Sequence, residues 1–538
     1  MKIALLQCNP TVGDFEKNVR LIEEGLSRAR KRGVKVAAFP ELAVTGYPPQ
    51  DLLLGRDFVR ANLRAARRAA RATRGETAIF GFVEEARGRL YNAAAVATGG
   101  RIVAVRRKCI LPNYDVFDEK RYFSPGPHPE PVRSGKNLLG VHICEDLWDR
   151  EAQLKVADVL AREGAEFFVN ISASPFHLGK LAARTRLARA KSRRFGVPYL
   201  YVNLVGGQDE ILFDGRSFAL DGKGRLCALG SAFEEDMLVV DTGRLRPIRP
   251  RPAPRAEKLY RALVMGVRDY VRKNGFREVV LGLSGGVDSS LVACLAADAL
   301  GPRNVLGVLM PSRFTSRASV EDARALARNL KIRTATLSIE ETVELNRRQY
   351  GAVFGGLRRR VTDENLQARE RGKILMQIAN DRGALVLSTG NKTELAMGYC
   401  TLYGDMTGGL AAISDLNKLE VYRLARWRNA RKGRLRRPVI PRRVLTRAPT
   451  AELAAGQKDE DSLPPYATLV PIVDAYVEDG KGVGEIAAMG YERALVRRVL
   501  NRIRRNEYKR RQAPPGLKVT PRAFGIGRRV PITNGYRS

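Results

Sequence analysis

Histidine is rare in this chain, and cysteine is sparse for its length. The 538 residues include only three histidines, at positions 128, 142 and 177, which leaves little room for a histidine-rich metal site. Six cysteines in so long a chain do not form a disulfide scaffold, and they indicate a reducing compartment. No uninterrupted apolar run approaches the roughly 20 residues that a membrane-spanning helix requires. We therefore expect a cytoplasmic protein that does not associate with a membrane.

Acidic residues are also few relative to basic ones. The chain has 57 Asp and Glu against 94 Lys and Arg, which gives a net charge of +37. Such an excess is typical of proteins that bind nucleic acid, an anionic membrane or a polyanionic small molecule. The remaining composition, 44% hydrophobic and 28% charged, is globular. At roughly 100–200 residues per domain, the length predicts two to four domains.

Short β-rich runs alternate with helical segments in the first half of the chain, which predicts an α/β domain over residues 1–243. Apolar residues recur at helical spacing in Phe15–Lys31. The acid-free segment Arg60–Arg74 predicts a solvated outer helix with a basic face. The N-terminus favours a first strand over a secretory signal. The predicted strands are Lys2–Gln7, Val34–Phe39, Ala78–Val83, Ala93–Ala97, Ile102–Arg106, Leu138–Ile143, Phe167–Ile171 and Tyr199–Leu204.

Four prolines in Arg244–Ala256 predict a linker, because proline fixes φ and removes an amide donor. The region after it, 257–538, begins with a predicted helix at Glu257–Lys273 and continues as a second α/β domain. Further elements of this domain are predicted strands at Val279–Leu283, Asn304–Leu309 and Ala384–Ser388, and a helix at Ser290–Leu300.

A loop rich in glycine and serine follows the strand Val279–Leu283. Adjacent glycines let backbone N–H groups approach an anion, and the helix N-terminus behind them adds oriented donors. Ordinary turn composition is the alternative, but the flanking strand and helix disfavour it. The loop resembles that of the N-type ATP pyrophosphatases, which implies a Rossmann-like parallel sheet and AMP-forming chemistry. The residues implied to bind ATP are Gly282, Ser284, Gly285, Gly286, Val287, Asp288, Ser289 and Ser290.

Several segments farther along the chain resemble NAD⁺ synthetase. They are Thr362–Arg369, Ser388–Tyr399, Thr401–Asp405, Asp461–Tyr466, Asn506–Pro515 and Pro531–Tyr536. The resemblance implies an ATP contact at Thr389 and Mg²⁺ ligands at Asp288 and Glu394. It also implies deamido-NAD⁺ contacts at Asn365, Glu394 and Lys509. Taken singly, Asn365 could cap a helix, Glu394 could be a surface acid and Lys509 could lie on a solvated face.

Three residues of the N-terminal half, Glu41, Lys108 and Cys144, each follow a predicted strand. Their segments resemble the site of nitrilase-like amidohydrolases, which implies an α-β-β-α sandwich. By this resemblance Glu41 is the general base for the Cys144 thiol, and Lys108 with the N–H of Glu145 stabilises the oxyanion. Taken alone, Cys144 could be a small buried apolar residue. The positions implied to recognise glutamine are Tyr114, Ser174 and Lys180.

Together the two sets of segments resemble the glutamine-dependent NAD⁺ synthetases. This resemblance implies that ammonia released from glutamine passes inside the protein to a second site. There ATP, with Mg²⁺, adenylates deamido-NAD⁺, and ammonia displaces AMP. The products implied are NAD⁺, AMP, pyrophosphate and glutamate. We also expect a homo-oligomer, as is common in the family.

Two other functions remain open from the sequence. The charge of +37 favours a nucleic-acid-binding protein or a tRNA-modifying enzyme. However, the basic stretch Arg423–Arg443 contains a single aromatic residue, Trp427, and we expect no specific nucleic acid as partner. An amidase with a degenerate second half is the other alternative, which the intact phosphate loop disfavours. Two arginine-rich segments, Leu357–Arg360 and Arg434–Arg437, match no family motif.

Overall fold

A proline-rich segment without helix or strand, residues 245–254, separates two parts of the chain. The computed structural model describes residues 1–149, 151–431 and 438–536. It divides into two units, Met1–Pro252 and Ala253–Ser538. The division therefore falls inside the predicted linker 244–256.

The described part of the first unit contains a two-stranded antiparallel hairpin, β10-β11, and two larger, six-stranded mixed sheets. Their strand orders are β14-β1-β2-β3-β4-β5 and β13-β12-β9-β8-β7-β6. The strands are β1 Lys2–Gln7, β2 Val36–Ala38, β3 Thr77–Ala86, β4 Arg89–Thr98, β5 Arg101–Arg107, β6 Val132–Ser134, β7 Asn137–Ile143, β8 Phe167–Ser172, β9 Tyr199–Asn203, β10 Val205–Gln208, β11 Ile211–Asp214, β12 Phe218–Leu220, β13 Leu226–Leu229 and β14 Asp236–Asp241. The helices are α1 Phe15–Lys31, α2 Arg56–Arg71, α3 Val156–Arg162 and α4 Lys180–Phe195.

The alternation of side chains between the two faces of each strand explains how the sheets and helices of the first unit stack. In β1, Ala4 and Leu6 pack in a core with α1 and α2, whereas Ile3 and Leu5 pack against the second sheet. Successive strand residues point to opposite faces, so each strand serves two cores. Residues of α3 and α4 cover the other face of the second sheet. The predicted α-β-β-α sandwich is confirmed.

The two predicted helices of the first unit differ in how well the sequence located them. Helix α1 has the predicted bounds and is capped by Asp14, whose side chain accepts a hydrogen bond from the Lys17 N–H. Helix α2 begins at Arg56, four residues before the predicted start, because the chain leaves extended backbone at Gly55. Four of its five alanines are buried and most of its arginines are exposed, so the solvated basic face is confirmed.

A five-stranded parallel sheet, in the order β17-β16-β15-β18-β19, forms the centre of the described part of the second unit. The strands are β15 Val279–Gly282, β16 Val305–Leu309, β17 Arg333–Thr336, β18 Leu385–Ser388 and β19 Leu410–Ala411. The helices are α5 Arg255–Lys273, α6 Val287–Leu300, α7 Arg317–Leu330, α8 Glu340–Phe354, α9 Arg360–Arg382, α10 Lys392–Met397, α11 Lys418–Ala430, α12 Arg442–Thr446, α13 Tyr466–Val477, α14 Val483–Ala487, α15 Arg493–Arg505 and α16 Glu507–Arg510. The predicted parallel α/β sheet is confirmed.

Of the two arginine-rich segments, only Leu357–Arg360 lies within the described residues. Arg358 and Arg359 are exposed before α9, and Arg360 pairs with Glu364 one helical turn on, at 2.9 Å. Arg434–Arg437 lies outside the described residues. Of the helices in the described ranges, none is both long enough and apolar enough to cross a bilayer.

Candidate active sites

Three strand ends of the first unit place Glu41, Lys108 and Cys144 together. Glu41 follows β2, Lys108 follows β5 and Cys144 follows β7. All three side chains are buried. Cys144 opens a short 3₁₀ helix with φ of 41°, a left-handed conformation that is uncommon for a residue with a Cβ. The structure thus brings the three predicted catalytic residues into one enclosed site.

The Glu41 carboxylate accepts three hydrogen bonds. The Lys108 ammonium and the Asn92 side-chain amide each donate to Oε1 at 2.7 Å, and the Ala173 N–H donates to Oε2 at 2.7 Å. Burial, and then the negative charge of Glu41, raises the pKa of the Cys144 thiol well above its ordinary value. The sulfur is therefore protonated at rest, and a base is needed to form the thiolate.

Glu119 is a second carboxylate of this site that the sequence did not reveal. Lys108 Nζ donates to Glu119 Oε1 at 2.7 Å, and the Tyr47 hydroxyl donates to the same oxygen at 2.9 Å. Burial opposes the charge of Lys108, but the two carboxylates raise the pKa of its ammonium well above the ordinary value. Lys108 is consequently a fixed cation. Glu119 lies in the charged stretch FDEKR, which is typical of a solvated loop, so its sequence gave no sign of burial.

The predicted glutamine-binding residues lie around this site. The Tyr114 hydroxyl donates to Oε1 of Glu145, the residue after Cys144, at 2.9 Å. Ser174 is buried next to Ala173, whose N–H contacts Glu41. Lys180 begins α4, and its ammonium lies 4.0 Å from the centre of the Trp148 ring.

The glycine- and serine-rich loop of the second unit connects β15 to α6, as predicted. Gly285 has φ of 79°, and a Cβ there would lie 2.3 Å from the Ser319 carbonyl oxygen, so the turn requires glycine. The Ser284 and Ser289 hydroxyls lie 3.0 Å apart, and the Gly286 N–H donates to Ser284 Oγ at 3.2 Å. Helix α6 begins directly behind them, with its N-terminus directed at the loop.

A cavity of about 300 Å³ lies over this loop. Its lining includes the stretch 282–289 together with Thr389, Glu394, Lys418 and the cationic side chains of Arg371 and Arg447. A Gly-rich turn, a helix N-terminus and several cations form a site suited to phosphate groups.

Asp288 and Glu394 converge on one cation, Lys418. The Lys418 ammonium donates to Asp288 Oδ2 at 2.7 Å and to Glu394 Oε1 at 3.1 Å. Burial raises the pKa of Glu394 to about 7, and the neighbouring Asp288 contributes to the same effect. Two convergent carboxylates fit Mg²⁺, which proteins commonly hold through one or two carboxylates and substrate phosphates. Among the residues described, no cluster of three or more His, Cys, Asp or Glu could hold a metal by itself.

Asn365 and Lys509 both hold the segment 398–401 at the edge of the cavity. The Thr401 hydroxyl donates to Asn365 Oδ1 at 2.8 Å. Lys509 Nζ donates to the carbonyl oxygens of Gly398 and Cys400, each at 2.8 Å. Neither residue belongs to the cavity lining, although Tyr399 between their partners does.

Comparison with known proteins places both units in families. A carbon-nitrogen hydrolase model matches residues 2–246, and an NAD synthase model matches residues 259–513. A glutamine-dependent NAD(+) synthetase from Thermotoga maritima is 44% identical over 100% of this chain and 99% of its own length. The chain belongs to the glutamine-dependent NAD(+) synthetase family.

Solved structures of the family agree with this assignment. A glutamine-dependent NAD⁺ synthetase from Acinetobacter baumannii, determined with ADP, is 38% identical with a TM-score of 0.79, covering 99% of this chain and 98% of that one. A family structure from Cytophaga hutchinsonii, 22% identical, shares the fold with a TM-score of 0.85 over 99% of this chain and 98% of that one. The alternative of a degenerate second half is wrong, because the NAD synthase match spans most of the second unit.

Proposed function

We infer that this chain catalyses glutamine-dependent NAD⁺ synthesis from deamido-NAD⁺, using ATP and releasing AMP, pyrophosphate and glutamate. The observation that carries this inference is the full-length similarity to synthetases of that activity. The buried set Glu41, Lys108 and Cys144 supports it, as does the phosphate-binding geometry of the cavity in the second unit. We assign glutamine hydrolysis to residues 1–243, a linker role to 244–256 and NAD⁺ synthesis to 257–538.

In the first reaction Glu41 removes the proton from the Cys144 thiol, whose raised pKa otherwise keeps it protonated. The thiolate attacks the side-chain amide carbon of glutamine and forms a tetrahedral adduct. The Lys108 ammonium and the N–H of Glu145 stabilise the oxyanion. Glu41 then gives its proton to the leaving nitrogen, so ammonia departs and a thioester remains. Glu41 next activates water, which releases glutamate and the free thiol.

Tyr114, Ser174 and Lys180 are the residues that we assign to glutamine recognition. The buried position of Ser174 beside Ala173 supports this assignment, because Ala173 touches the base. The hydrogen bond from Tyr114 to Glu145 supports it as well, since Glu145 directly follows the nucleophile. Lys180 supplies a positive charge that suits the carboxylate of the amino acid.

In the second reaction the backbone N–H groups and hydroxyls of residues 282–290, with Thr389, bind ATP. Asp288 and Glu394 would hold Mg²⁺, which when bound neutralises phosphate charge. The nicotinate carboxylate of deamido-NAD⁺ attacks the α-phosphorus of ATP, and pyrophosphate leaves. Ammonia then attacks the acyl carbon, and AMP leaves. Asn365, Glu394 and Lys509 are the residues that we assign to deamido-NAD⁺.

Three further properties complete the proposal. Ammonia passes inside the protein from the first site to the second, since ammonia in neutral water is mostly protonated and not nucleophilic. The chain assembles as a homo-oligomer. It works in the cytoplasm, in keeping with its low cysteine content.

The Cys144→Ala variant tests the division of labour. We expect no NAD⁺ from glutamine, because the nucleophile is absent, but unchanged NAD⁺ formation with added ammonium. Both rates are measured by NAD⁺ production, with glutamate release as a separate assay. Cys227→Ala, in the edge strand β13, is the matched control and should retain both activities. Loss of the ammonium-dependent activity in a folded Cys144→Ala protein would contradict the two-site assignment.

A further inference from the structure

The segment 173–180 joins the predicted base to the predicted glutamine contacts. It leaves the end of β8, and its first residue, Ala173, donates a backbone hydrogen bond to Glu41 Oε2 at 2.7 Å. Ser174 comes next, and Lys180 closes the segment at the start of α4. A shift of this backbone would therefore move the Glu41 carboxylate and the glutamine contacts together.

A buried ion pair lies behind this segment. Both Asp214 oxygens accept from Arg184 Nη2, at 2.8 and 2.9 Å. Arg184 is 0% exposed and Asp214 is 4% exposed. Arg184 lies in the second turn of α4, and Asp214 ends β11. The pair therefore ties the helix that follows the segment to the hairpin of β10 and β11.

Asn203, the last residue of β9, connects the ion pair to Ser174. The Asn203 amide nitrogen donates to the Gly215 carbonyl oxygen at 3.1 Å and to Asp214 Oδ1 at 3.3 Å. Its amide oxygen accepts from the Ser174 N–H at 2.9 Å. Asp214 and the Gly215 carbonyl together thus fix which way the Asn203 amide faces, and the Asn203 oxygen in turn fixes the Ser174 N–H.

The Ser174 carbonyl oxygen, which belongs to the next peptide group, is held as well. It accepts from Arg184 Nη1 at 3.5 Å and from the Asn203 amide nitrogen at 3.4 Å. Two residues farther on, the Phe176 N–H donates to the Leu212 carbonyl oxygen in β11 at 2.6 Å. The Phe176 contact binds the segment directly to the hairpin, and the Arg184–Asp214 ion pair connects Ser174 to the hairpin indirectly.

A buried ion pair is a weak source of stability, because desolvation of both charges offsets their attraction. Arg184 also leaves its Nε without a hydrogen-bond partner among the described residues, which stability alone would disfavour. Its forked guanidinium instead provides fixed directions toward Asp214 and Ser174, which a lysine would not. The unpartnered Nε and the fixed directions of the guanidinium therefore fit an ion pair that sets the geometry of its surroundings.

We propose that the Arg184–Asp214 ion pair, acting through Asn203, positions the segment 173–180 for glutamine hydrolysis. Arg184 and Asp214 are positioning residues. They hold the Ala173 N–H on the Glu41 carboxylate and hold Ser174 at the substrate. This role rests on the function proposed for Glu41 and Ser174.

The test is the Arg184→Lys variant, which keeps the positive charge but removes the planar, branched guanidinium group. We expect kcat/KM for glutamine to fall about 10- to 100-fold, as a displacement of about 1 Å at a reacting group would cause. Ammonium-dependent NAD⁺ formation should stay at the wild-type rate and thereby show that the second unit is intact. The matched control is Arg189→Lys on the same helix, where Nε donates to the Gly224 carbonyl oxygen at 2.9 Å, away from the segment.

A second measurement separates positioning from general stability. The rate at which iodoacetamide alkylates Cys144 reports thiolate formation, and the Cys144→Ala protein gives the background. The pH profile of this rate should shift in Arg184→Lys, because Glu41 is displaced, and should not shift in Arg189→Lys. Wild-type kcat/KM for glutamine and an unshifted profile in Arg184→Lys would overturn the proposal.

A double variant decides the matter if the single variant does not fold. Arg184→Met with Asp214→Leu replaces the ion pair by apolar side chains, an exchange that buried pairs often tolerate. Reduced glutamine use with normal ammonium use supports positioning, whereas normal glutamine use overturns it. Absence of glutamate release by the wild-type protein would instead refute the function proposed for the first unit.

Discussion

At the scale of single residues, the first site depends on one lysine shared by two carboxylates. Lys108 contacts Glu41, 67 positions earlier, and Glu119, 11 positions later, at equal distances of 2.7 Å. Its partners hold the ammonium at one point, where an oxyanion can be stabilised. Glu119 therefore fixes Lys108 without belonging to the set that the sequence predicted.

Glu119→Gln tests this role. The variant keeps the shape of the side chain but removes one negative charge from Lys108, so the ammonium is held less firmly. We expect a fall of about 10- to 100-fold in kcat for glutamine, because a displacement of about 1 Å at a reacting group can cost up to about 100-fold. Glutamate release measures kcat, and ammonium-dependent NAD⁺ formation should not change.

The matched control for Glu119→Gln is Glu84→Gln. Glu84 forms a two-bond ion pair with Arg107, the residue before Lys108, at 2.6 and 3.0 Å. The control removes a partly exposed ion pair outside the site, and its glutamine kcat should stay near wild type. Equal losses in the two variants would show that Glu119 acts only on stability.

At the scale of elements, the sequence located most strands because their apolar runs are local signals. The predicted bounds of β1 and α1 match the observed ones. Helix α2 begins four residues before its predicted start, because the conformation of Gly55 decides where it begins. Contacts between residues that are far apart in the sequence leave no such local signal. Lys418 reaches Asp288 across 130 positions, and no local pattern marks that contact.

Strand β7 contains a buried histidine that makes a prediction about pH. His142 Nδ1 donates to the Gly140 carbonyl oxygen at 3.0 Å, and Nε2 lies 2.6 Å from the Tyr199 hydroxyl oxygen, which can donate or accept. Burial lowers the pKa of His142 to about 4 from 6.5. The unfolded chain therefore binds this proton first as the pH falls from 6.5 to 4, and stability decreases by about 3 kcal/mol from this group.

The His142→Gln variant isolates this contribution. Its free energy of unfolding should depend less steeply on pH between 6.5 and 4 than that of the wild type, whatever its stability at pH 7. Urea unfolding at several pH values, followed by a probe in the first unit, measures both slopes. Identical slopes in the two proteins would contradict the lowered pKa, because they would mean that His142 binds its proton equally well in the folded and unfolded states.

At the scale of the whole molecule, the charge of +37 does not identify the function. Most arginines of α2 lie on an exposed face, and many other cations form ion pairs such as Arg184 with Asp214. The positively charged side chains at the two sites lie next to the positions that we assign to glutamine, ATP and deamido-NAD⁺. We assign glutamine hydrolysis and NAD⁺ synthesis to separate units, with ammonia as the link between them. A change in one site should therefore be visible in one half of the reaction.

Asp288→Asn tests that separation from the second unit. The neutral side chain would hold Mg²⁺ poorly and would leave Lys418 paired with Glu394 alone. We expect NAD⁺ formation to fall by 100-fold or more with either nitrogen source, within the several kcal/mol that metal-assisted charge stabilisation supplies. Glutamate release should persist, because the Cys144 site is untouched.

Asp298→Asn, at the opposite end of α6, serves as the control for Asp288→Asn. Asp298 pairs with Arg428 at 3.0 Å, and the variant removes a carboxylate from the same helix without touching the phosphate loop. It should retain both NAD⁺-forming activities. Because the reaction releases pyrophosphate as deamido-NAD⁺ is activated, unchanged pyrophosphate release by Asp288→Asn would overturn the assignment of this loop to ATP. Loss of glutamate release together with NAD⁺ formation would instead show that occupancy of the second site controls the first.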